Sequence, residues 1–258
     1  MDITIDKNAR VEIFTILFQH MKLFTENMNI HFRKEEMFIQ TMDNSHVSIL
    51  EFKLPNTWFS NYHVDDNIII GVNTNILFKV LNTHEKSHQL NLKLGDKESD
   101  KLEIHLVSND TEVFDRHYEI PLVDIDSELM GIPDIEYQAE LSLPSQRFST
   151  LIDQMKLFGD TLSICCSEEK VEMSAESQES GKMFVEIPID DLHSFSINED
   201  ETLNLSFSLS HMKNICLYSK IAKDIDINMS MNYPIQLVYH LDDENAKAIF
   251  YLAPKIDD

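Results

Sequence analysis

Glycine is scarce in this sequence, and its few positions limit the chemistry that the chain can carry out. Five glycines occur among 258 residues, at positions 71, 95, 131, 159 and 181. A GxGxxG loop, a Walker A loop and a GxSxG elbow each need glycines at close, fixed spacing, which these positions do not provide. We therefore expect neither a phosphate-binding loop of these types nor the common hydrolase nucleophile.

Cysteines and long apolar runs are also few. Cys165 and Cys166 are adjacent and Cys216 is distant, so the three form no CxxC pair and no convincing disulfide framework. The start MDITIDKNAR lacks the apolar core of a signal peptide, and no run approaches 18 apolar residues. This pattern favours a reducing compartment and predicts no membrane association.

Basic residues are the minority charge. The chain has 21 Lys and Arg against 45 Asp and Glu, a formal charge of −24, yet 43% of its residues are hydrophobic. Disordered acidic proteins contain too few apolar residues to form a core, so this composition indicates a soluble, globular protein. The length suits two domains of roughly 125 residues each.

An internal repeat supports two domains. The tetrapeptide Met21-Lys22-Leu23-Phe24 recurs 134 positions later as Met155-Lys156-Leu157-Phe158. Around each copy, four apolar residues share the helical spacing i, i+3, i+4 and i+7: Phe14, Leu17, Phe18 and Met21, then Phe148, Leu151, Ile152 and Met155. After each copy the apolar period changes to two, which predicts two short strands. We expect the leucine and methionine positions of both sets to anchor each helix on a sheet.

Strand patterns dominate the rest of the chain and set the expected fold class. Alternating segments separated by turns favour antiparallel sheets, which four helices could cover on one face. Asn8 and Ser145 are candidate N-caps of the two repeated helices. We predict an α+β protein with domains at 1–120 and 138–258, joined by an acidic connector at 121–137. An ordinary surface loop is the alternative interpretation of the connector.

One literal metal motif is present. His84-Glu85-Lys86-Ser87-His88 spells HExxH, which on a helix would hold zinc with two imidazoles and supply a glutamate base. The motif lies in a polar stretch between a helical pattern that ends near Leu81 and a strand pattern that starts at Leu90, so no apolar face would bury such a helix. We expect a solvated loop, no metal, no other cofactor and no catalytic residues.

Four segments resemble the proliferating-cell nuclear antigen (PCNA) family of eukaryotic-type DNA sliding clamps. In chain order they are MDNSHVS at 42–48, GVN at 71–73, MGIP followed by EY at 130–137, and YLAPKI at 251–256. The resemblance implies the DNA clamp fold: two similar domains, each with two helices packed on antiparallel sheets, assembling into a pseudo-sixfold trimeric ring. It further implies a non-enzymatic processivity factor of DNA replication and repair that encircles double-stranded DNA without reading its sequence.

The charge pattern is consistent with a ring that DNA threads. The four helical stretches expected inside it, at 8–24, 74–82, 145–158 and 210–223, hold eight basic and two acidic side chains. They therefore carry +6, and because the whole chain carries −24, the remainder carries −30. The candidate DNA-facing residues are Arg10, Lys22, Lys79, Arg147, Lys156, Lys213, Lys220 and Lys223. These lysines could instead only solvate exposed helix faces, and Asn82 and Asp153 stand where the family often has basic residues.

The resemblance also implies a docking pocket for short peptide motifs of client enzymes. Such clients would be DNA polymerase, a flap nuclease, a ligase and a clamp-loader ATPase, which insert a helical turn and pair with the C-terminal tail. The matching positions are Met42, His46, Val47, Met130, Ile132, Tyr137, Pro234, Tyr251, Leu252, Ala253 and Pro254. Methionine stands at 130 where the family usually has leucine, so client preference could differ.

Ring closure would pair edge strands of neighbouring subunits into a homotrimer. The expected strands are Thr111–Glu119, with interface residues Thr111 and Val113, and Lys182–Ile187, with interface residues Lys182 and Phe184. The resemblance places such a protein in the nucleus, or at a viral replication site if it is viral. The alternatives are a subunit of a heterotrimeric checkpoint-type clamp, an acidic protein-binding adaptor that does not encircle DNA, and a zinc enzyme built on the HExxH motif.

Overall fold

The computed structural model describes residues 1–95, 99–242 and 245–255. Ile256, the last residue of the C-terminal YLAPKI segment, lies outside the described residues. The chain forms two compact units: Met1–Asn44, Glu51–Met130 and Asp243–Lys247 in the first, and Ser45–Leu50, Gly131–Asp242 and Ala248–Asp258 in the second. Among the described residues, no helix has the length and apolar character needed to cross a membrane.

Over the described ranges, each half of the chain contains two helices and nine strands. The first set is β1 (Asp2–Ile5), α1 (Asn8–Gln19), β2 (Asn27–Phe32), β3 (Glu36–Met42), β4 (Ser48–Pro55), β5 (Asn61–His63), β6 (Ile68–Asn73), α2 (Thr74–Leu81), β7 (His88–Lys93), β8 (Lys101–Ser108) and β9 (Arg116–Pro121). The second set is β10 (Ala139–Pro144), α3 (Ser145–Met155), β11 (Thr161–Cys166), β12 (Lys170–Ser177), β13 (Gly181–Pro188), β14 (Ser194–Ile197), β15 (Leu203–Ser208), α4 (Leu209–Cys216), β16 (Asp224–Met229), β17 (Ile235–His240) and β18 (Lys247–Leu252).

The two sets have the same element order, so the predicted duplication is confirmed at the level of topology. The strand order β5-β1-β7-β8-β9 in the first set matches β14-β10-β16-β17-β18 in the second. The order β4-β3-β2-β6 likewise matches β13-β12-β11-β15. Neighbouring strands run antiparallel, as in β7 with β8 and β11 with β12. The α+β class and the two strands after each repeated helix are as expected.

Aromatic side chains fill the core of each unit. In the first, the ring of Phe14 lies 4.9 Å from that of Phe18 and 6.4 Å from that of Trp58, and all three are almost fully buried. In the second, the ring of Phe250 contacts those of Tyr218 and Tyr239 at 5.0 and 6.0 Å. Buried aromatic pairs in tilted or edge-on contact stabilise a core beyond the area that they bury.

The repeated helices are shorter than the sequence predicts. Within the expected stretch 8–24, α1 ends at Gln19 and is followed by a 3-10 turn at Met21–Leu23. Within the expected stretch 145–158, α3 ends at Met155. Both predicted N-caps are wrong, because Asn8 and Ser145 are the first helical residues. Ser145 is buried, and its hydroxyl donates to the carbonyls of Ser219 and Ala222 instead of capping the helix.

The strand expected at Thr111–Glu119 begins only at Arg116. Thr111 and Val113 lie in the preceding turn, where the Asp110 carboxylate accepts from the amide of Glu112 and the Asp115 carboxylate accepts from the amide of Ser108. Aspartates that bond to nearby backbone amides favour turns over strands. The second expected edge strand is present, since β13 contains Lys182 and Phe184.

Leu17 tests how strongly helix burial stabilises the fold. Leu17 is 0% exposed, whereas Leu157 of the repeated tetrapeptide is 72% exposed. Leu17→Ala should lower the free energy of unfolding by about 2–5 kcal/mol, because it removes buried methyl groups and leaves a cavity. Leu157→Ala is the matched control and should change it by about 0.5 kcal/mol or less. Urea denaturation followed by circular dichroism measures both, and equal losses would contradict the assigned packing.

Candidate functional site

Two lysines of the first unit extend from helix ends into solvent. Lys22 lies in the 3-10 turn after α1, and Lys79 lies in the last turn of α2. Both side chains are exposed, and within the described part of the chain neither has an ion-pair partner. Their ammonium groups are therefore free to attract phosphates.

Arg10 is arranged differently from these lysines. Its guanidinium donates to the main-chain carbonyl of Trp58 and lies 5.3 Å from the centre of the Trp58 ring. This combination of a hydrogen bond and a cation–π contact holds the half-buried side chain against the protein surface. Arg10 therefore presents less of its charge to solvent than Lys22 or Lys79.

Two predicted DNA-facing cations of the second unit are paired with carboxylates. The ammonium of Lys213 on α4 lies 2.8 Å from a carboxylate oxygen of Asp153 on α3. The guanidinium of Arg147 lies 3.9 Å from the carboxylate of Asp191. Exposed pairs of this kind add little to stability, but each cancels a positive charge on the helical surface. Asp153 thus neutralises a cation on this helical surface.

Of the other three predicted DNA-facing cations of the second unit, one is paired with a carboxylate and two have no ion-pair partner in the described ranges. Lys156 follows the last residue of α3 and donates to the carboxylate of Asp160, which holds the pKa of Asp160 below its ordinary value. Lys220 and Lys223 are exposed and have no ion-pair partner in the described ranges. Four of the eight predicted residues, Lys22, Lys79, Lys220 and Lys223, thus combine exposure with an unpaired charge.

The HExxH motif does not lie on a helix. His84 to Ser87 form a turn after α2, and His88 begins β7. His88 is buried and uses both ring nitrogens: Nδ1 accepts from the amide of Glu85 at 2.8 Å, and Nε2 lies 3.1 Å from the carbonyl oxygen of Phe114. Neither nitrogen of His88 is available to a metal ion. The described residues contain no group of three or more potential metal-ligating side chains.

Two of the three cysteines, Cys166 and Cys216, are buried and poorly suited to be nucleophiles. Burial raises the pKa of Cys166 to about 11 and raises that of Cys216 further. Both thiols therefore stay protonated near neutral pH, whereas a nucleophilic cysteine needs a depressed pKa. All three cysteines are free.

A small apolar cluster of the second unit lies on strands β17 and β18. Val238 on β17 and Ile249 and Tyr251 on β18 are buried, and Ile49 and Ile132 pack against them while staying half-exposed. Their neighbours Leu237, Phe250 and Leu252 point into the core. The cluster therefore lies on the opposite face of these strands, as the period-two geometry requires.

The C-terminal tail is held beside this cluster. The amide of Ala253 donates to the carbonyl of Val47 at 3.0 Å, and the amide of Lys255 donates to the carbonyl of Ser206 at 2.7 Å. His46, just before Val47, is exposed and has a φ of 59°. Leu252 is fully buried in the core, so the candidate pocket residues of the tail are Tyr251, Ala253 and Pro254.

Two tyrosines add polar groups to the same surface. The hydroxyl of Tyr251 accepts from the side-chain amide of Gln236 at 3.1 Å. Partial burial, with smaller effects of Tyr251, Asp134 and Glu140, raises the pKa of Tyr137 to about 12, so its hydroxyl stays a donor at neutral pH. Pro234 is exposed. Met42 and Met130 are half-buried residues of the first unit.

Sequence reasoning missed Ile49, Val238 and Ile249. A signal is present in the sequence, because each lies at an outward position of a strand whose inward positions are also apolar. A strand that is apolar on both faces is covered on both. A purely alternating interpretation of β17 and β18 assigns them one buried face, whereas the structure buries residues on two.

Family models match almost the whole chain. The N-terminal domain of proliferating cell nuclear antigen matches residues 7–129, and the C-terminal domain matches residues 131–256. Proliferating cell nuclear antigen of Chaetomium thermophilum is 31% identical over 260 residues, which cover 97% of this chain and 98% of that protein. The chain belongs to the proliferating cell nuclear antigen family.

Membership of the PCNA family settles the class of function. The chain is a DNA sliding clamp and processivity factor of DNA replication and repair, and it is a scaffold rather than an enzyme. It binds DNA and replication proteins. The duplicated α+β architecture is the DNA clamp fold of this PCNA family. A non-encircling adaptor and a checkpoint-type subunit are not favoured.

The Asp153–Lys213 pair predicts a specific salt dependence. Asp153→Asn should free Lys213 and tighten binding to duplex DNA, and the slope of log affinity against log salt should steepen by about 0.9 for each additional phosphate that the protein neutralises. Fluorescence anisotropy of a labelled duplex over a salt series measures this slope. Asp65→Asn removes the same charge from an exposed site of the first unit and should leave the slope unchanged. An unchanged slope for Asp153→Asn would contradict the prediction.

Proposed function

We propose that this clamp works as a homotrimeric ring that encircles double-stranded DNA and contacts it through helix-end lysines. The single observation that carries the proposal is the distribution of charge. Lys22, Lys79, Lys220 and Lys223 are exposed and unpaired within the described chain, although the whole sequence carries −24. Weak attraction by a few cations lets DNA slide, and surrounding acidity keeps DNA off other surfaces.

Two strand edges support a ring. β9 ends the strand order β5-β1-β7-β8-β9, and β13 ends the order β13-β12-β11-β15, so each leaves one side unpaired in the described structure. Pairing β9 of one copy with β13 of the next would join two different surfaces. Such heterologous contacts close into rings when the rotation permits. The proposed contact strand in the first domain is therefore Arg116–Pro121, with Thr111 and Val113 in the adjoining turn and Lys182 and Phe184 across from it.

The proposed clients bind the apolar cluster through short peptide motifs. Ile49, Ile132, Val238, Ile249 and Tyr251 provide an apolar floor that suits a helical turn with aliphatic and aromatic side chains. The tail at Tyr251–Pro254 could add backbone pairing. The client classes that the resemblance implies are DNA polymerase, flap nuclease, ligase and clamp-loader ATPase. For a protein with these clients we propose nuclear residence, or a viral replication site.

Charge reversal tests the DNA contact. Lys22→Glu and Lys79→Glu should each weaken binding to duplex DNA about tenfold at low salt, because every ring loses three attractive charges and acquires three repulsive ones. The measurements are duplex affinity and polymerase processivity on primed DNA. Lys34→Glu, an exposed lysine in the β2–β3 turn, is the control and should behave like wild type.

Two results would contradict the proposal that the ring contacts DNA through these lysines. One is an equal effect of Lys34→Glu and Lys22→Glu, which would indicate only a general charge effect. The other is a monomer at micromolar concentration in gel filtration with light scattering, which would exclude a stable ring.

Truncation of the cluster tests peptide docking. Ile132→Ala and Ile49→Ala should weaken binding of a peptide with the glutamine-aliphatic-aromatic-aromatic pattern by about 5- to 50-fold, the range of a buried interface anchor. Isothermal titration calorimetry measures the affinity. Ile69→Ala, at a 60% exposed isoleucine of β6, is the matched control and should have no effect. Retention of wild-type affinity in both cluster variants would place the docking site elsewhere.

A further inference from the structure

The first part of the connector is attached to successive strands of the first unit. Along residues 123–130, in chain order, the first polar contact is with β6, the next contacts are with β2, and the last contacts are with β3. These three strands are neighbours in the order β4-β3-β2-β6. The connector therefore crosses the outward face of this sheet from strand to strand, with a specific attachment at each.

The first attachment is a backbone contact at Gly71 on β6. The amide of Val123 donates to the carbonyl of Gly71 at 2.9 Å. A Cβ atom at position 71 would lie 2.0 Å from the carbonyl oxygen of Val123 and 2.9 Å from the Ile125 side chain. Only glycine allows the connector to approach this closely.

The second attachment is the buried side chain of Asn29 on β2. Its amide nitrogen donates to the carbonyl of Ile125 at 3.1 Å and to the hydroxyl of Ser127 at 3.0 Å. Asn29 is directly opposite Gly71 in the β2–β6 pair. An outward-facing asparagine is buried here because the connector covers it.

The third attachment, Gln40 on β3, bonds to both backbone groups of Met130. The Gln40 oxygen accepts from the Met130 amide at 2.6 Å, and the Gln40 nitrogen donates to the Met130 carbonyl at 3.0 Å. This pairing reproduces with a side chain the two bonds that a neighbouring strand residue would make. Gln40 also donates to a carboxylate oxygen of Glu51 on β4 at 3.0 Å.

Glu51 reinforces the orientation of the Gln40 amide. The Glu51 carboxylate is buried, and its second oxygen lies 2.9 Å from the ammonium of Lys53. A carboxylate only accepts hydrogen bonds, so it requires the nitrogen of the Gln40 amide on its side. A flipped amide would direct its oxygen at both the Glu51 carboxylate and the Met130 carbonyl. Glu51 thus stabilises the same orientation that the two backbone groups of Met130 require, even before the connector is in place.

We propose that Gln40, oriented by Glu51, is a positioning residue for client peptides, because it fixes the connector at Met130. Ile132, two residues further along the chain, packs on the cluster of Val238, Ile249 and Tyr251. A connector fixed at Met130 has little freedom to lose when a peptide docks on Ile132, and lower ordering cost gives tighter binding. This inference rests on the proposed peptide-binding function.

The test compares four variants of the full chain for peptide affinity and for hydrogen exchange at the Met130 amide. Gln40→Met keeps the side-chain volume but removes the polar atoms, and we expect about tenfold weaker binding and faster exchange. Gln40→Glu should be worse, because it places a second carboxylate beside Glu51. Adding Glu51→Gln to Gln40→Glu should recover part of the affinity, because an amide again faces a carboxylate. Gln89→Met, at a half-buried glutamine of β7, is the control and should match wild type.

The outcomes separate the inference from the function on which it rests. If wild type does not bind the peptide, the docking proposal fails and the inference fails with it. If wild type binds and Gln40→Met exchanges faster at Met130 but binds equally well, only the positioning role is overturned. If exchange at Met130 is unchanged in Gln40→Met, Gln40 does not hold the connector. No recovery in the double variant would exclude Glu51 as the orienting group.

Discussion

Both proposed binding surfaces, the exposed lysines and the apolar cluster, depend on one constraint: the apolar stripe of each helix must be buried on the inward face of a sheet. Phe14 and Phe148 occupy equivalent positions in α1 and α3, and both are almost fully buried. Because successive side chains of a helical turn point in different directions, Met21 is buried while Lys22, its neighbour in the 3-10 turn after α1, faces solvent. The packing that builds the core therefore also presents the cations.

Strand geometry places the second surface on the outward side of the strands. The inward residues of β17 and β18 form the core, so Val238, Ile249 and Tyr251 must face outward. In the first unit the outward residues Asn29 and Gln40 bond to the connector, and Glu51 bonds to Gln40. Outward positions of this fold thus carry apolar groups at the proposed peptide-docking cluster and polar groups where the connector is bound.

Much of the fold could be predicted from local sequence patterns, whereas the hydrogen-bond and ion-pair partners of side chains could not. The repeat predicted two related units, and the change from helical to alternating period predicted the strands after each helix. The predicted N-cap at Ser145 was wrong, because its hydroxyl donates to a carbonyl that is distant in the sequence. The predicted strand at Thr111 was wrong, because a nearby aspartate carboxylate accepts from a backbone amide and favours a turn. Of the eight predicted DNA-facing cations, the sequence could not distinguish the free Lys22 from Lys213, since Asp153 lies 60 positions from Lys213 in the sequence.

The sequence by itself determined the duplication, the α+β class, the excess of basic residues on four helical stretches and, through motif resemblance, the PCNA family. These properties are carried by residue type and by spacing within one element or one motif. Tertiary structure alone decided which of the described cations stay unpaired, which outward strand residues are covered, and how Gln40, bonded to Glu51, holds Met130. Hydrogen bonds and ion pairs extend only a few ångströms, so they depend on which distant segments folding brings together.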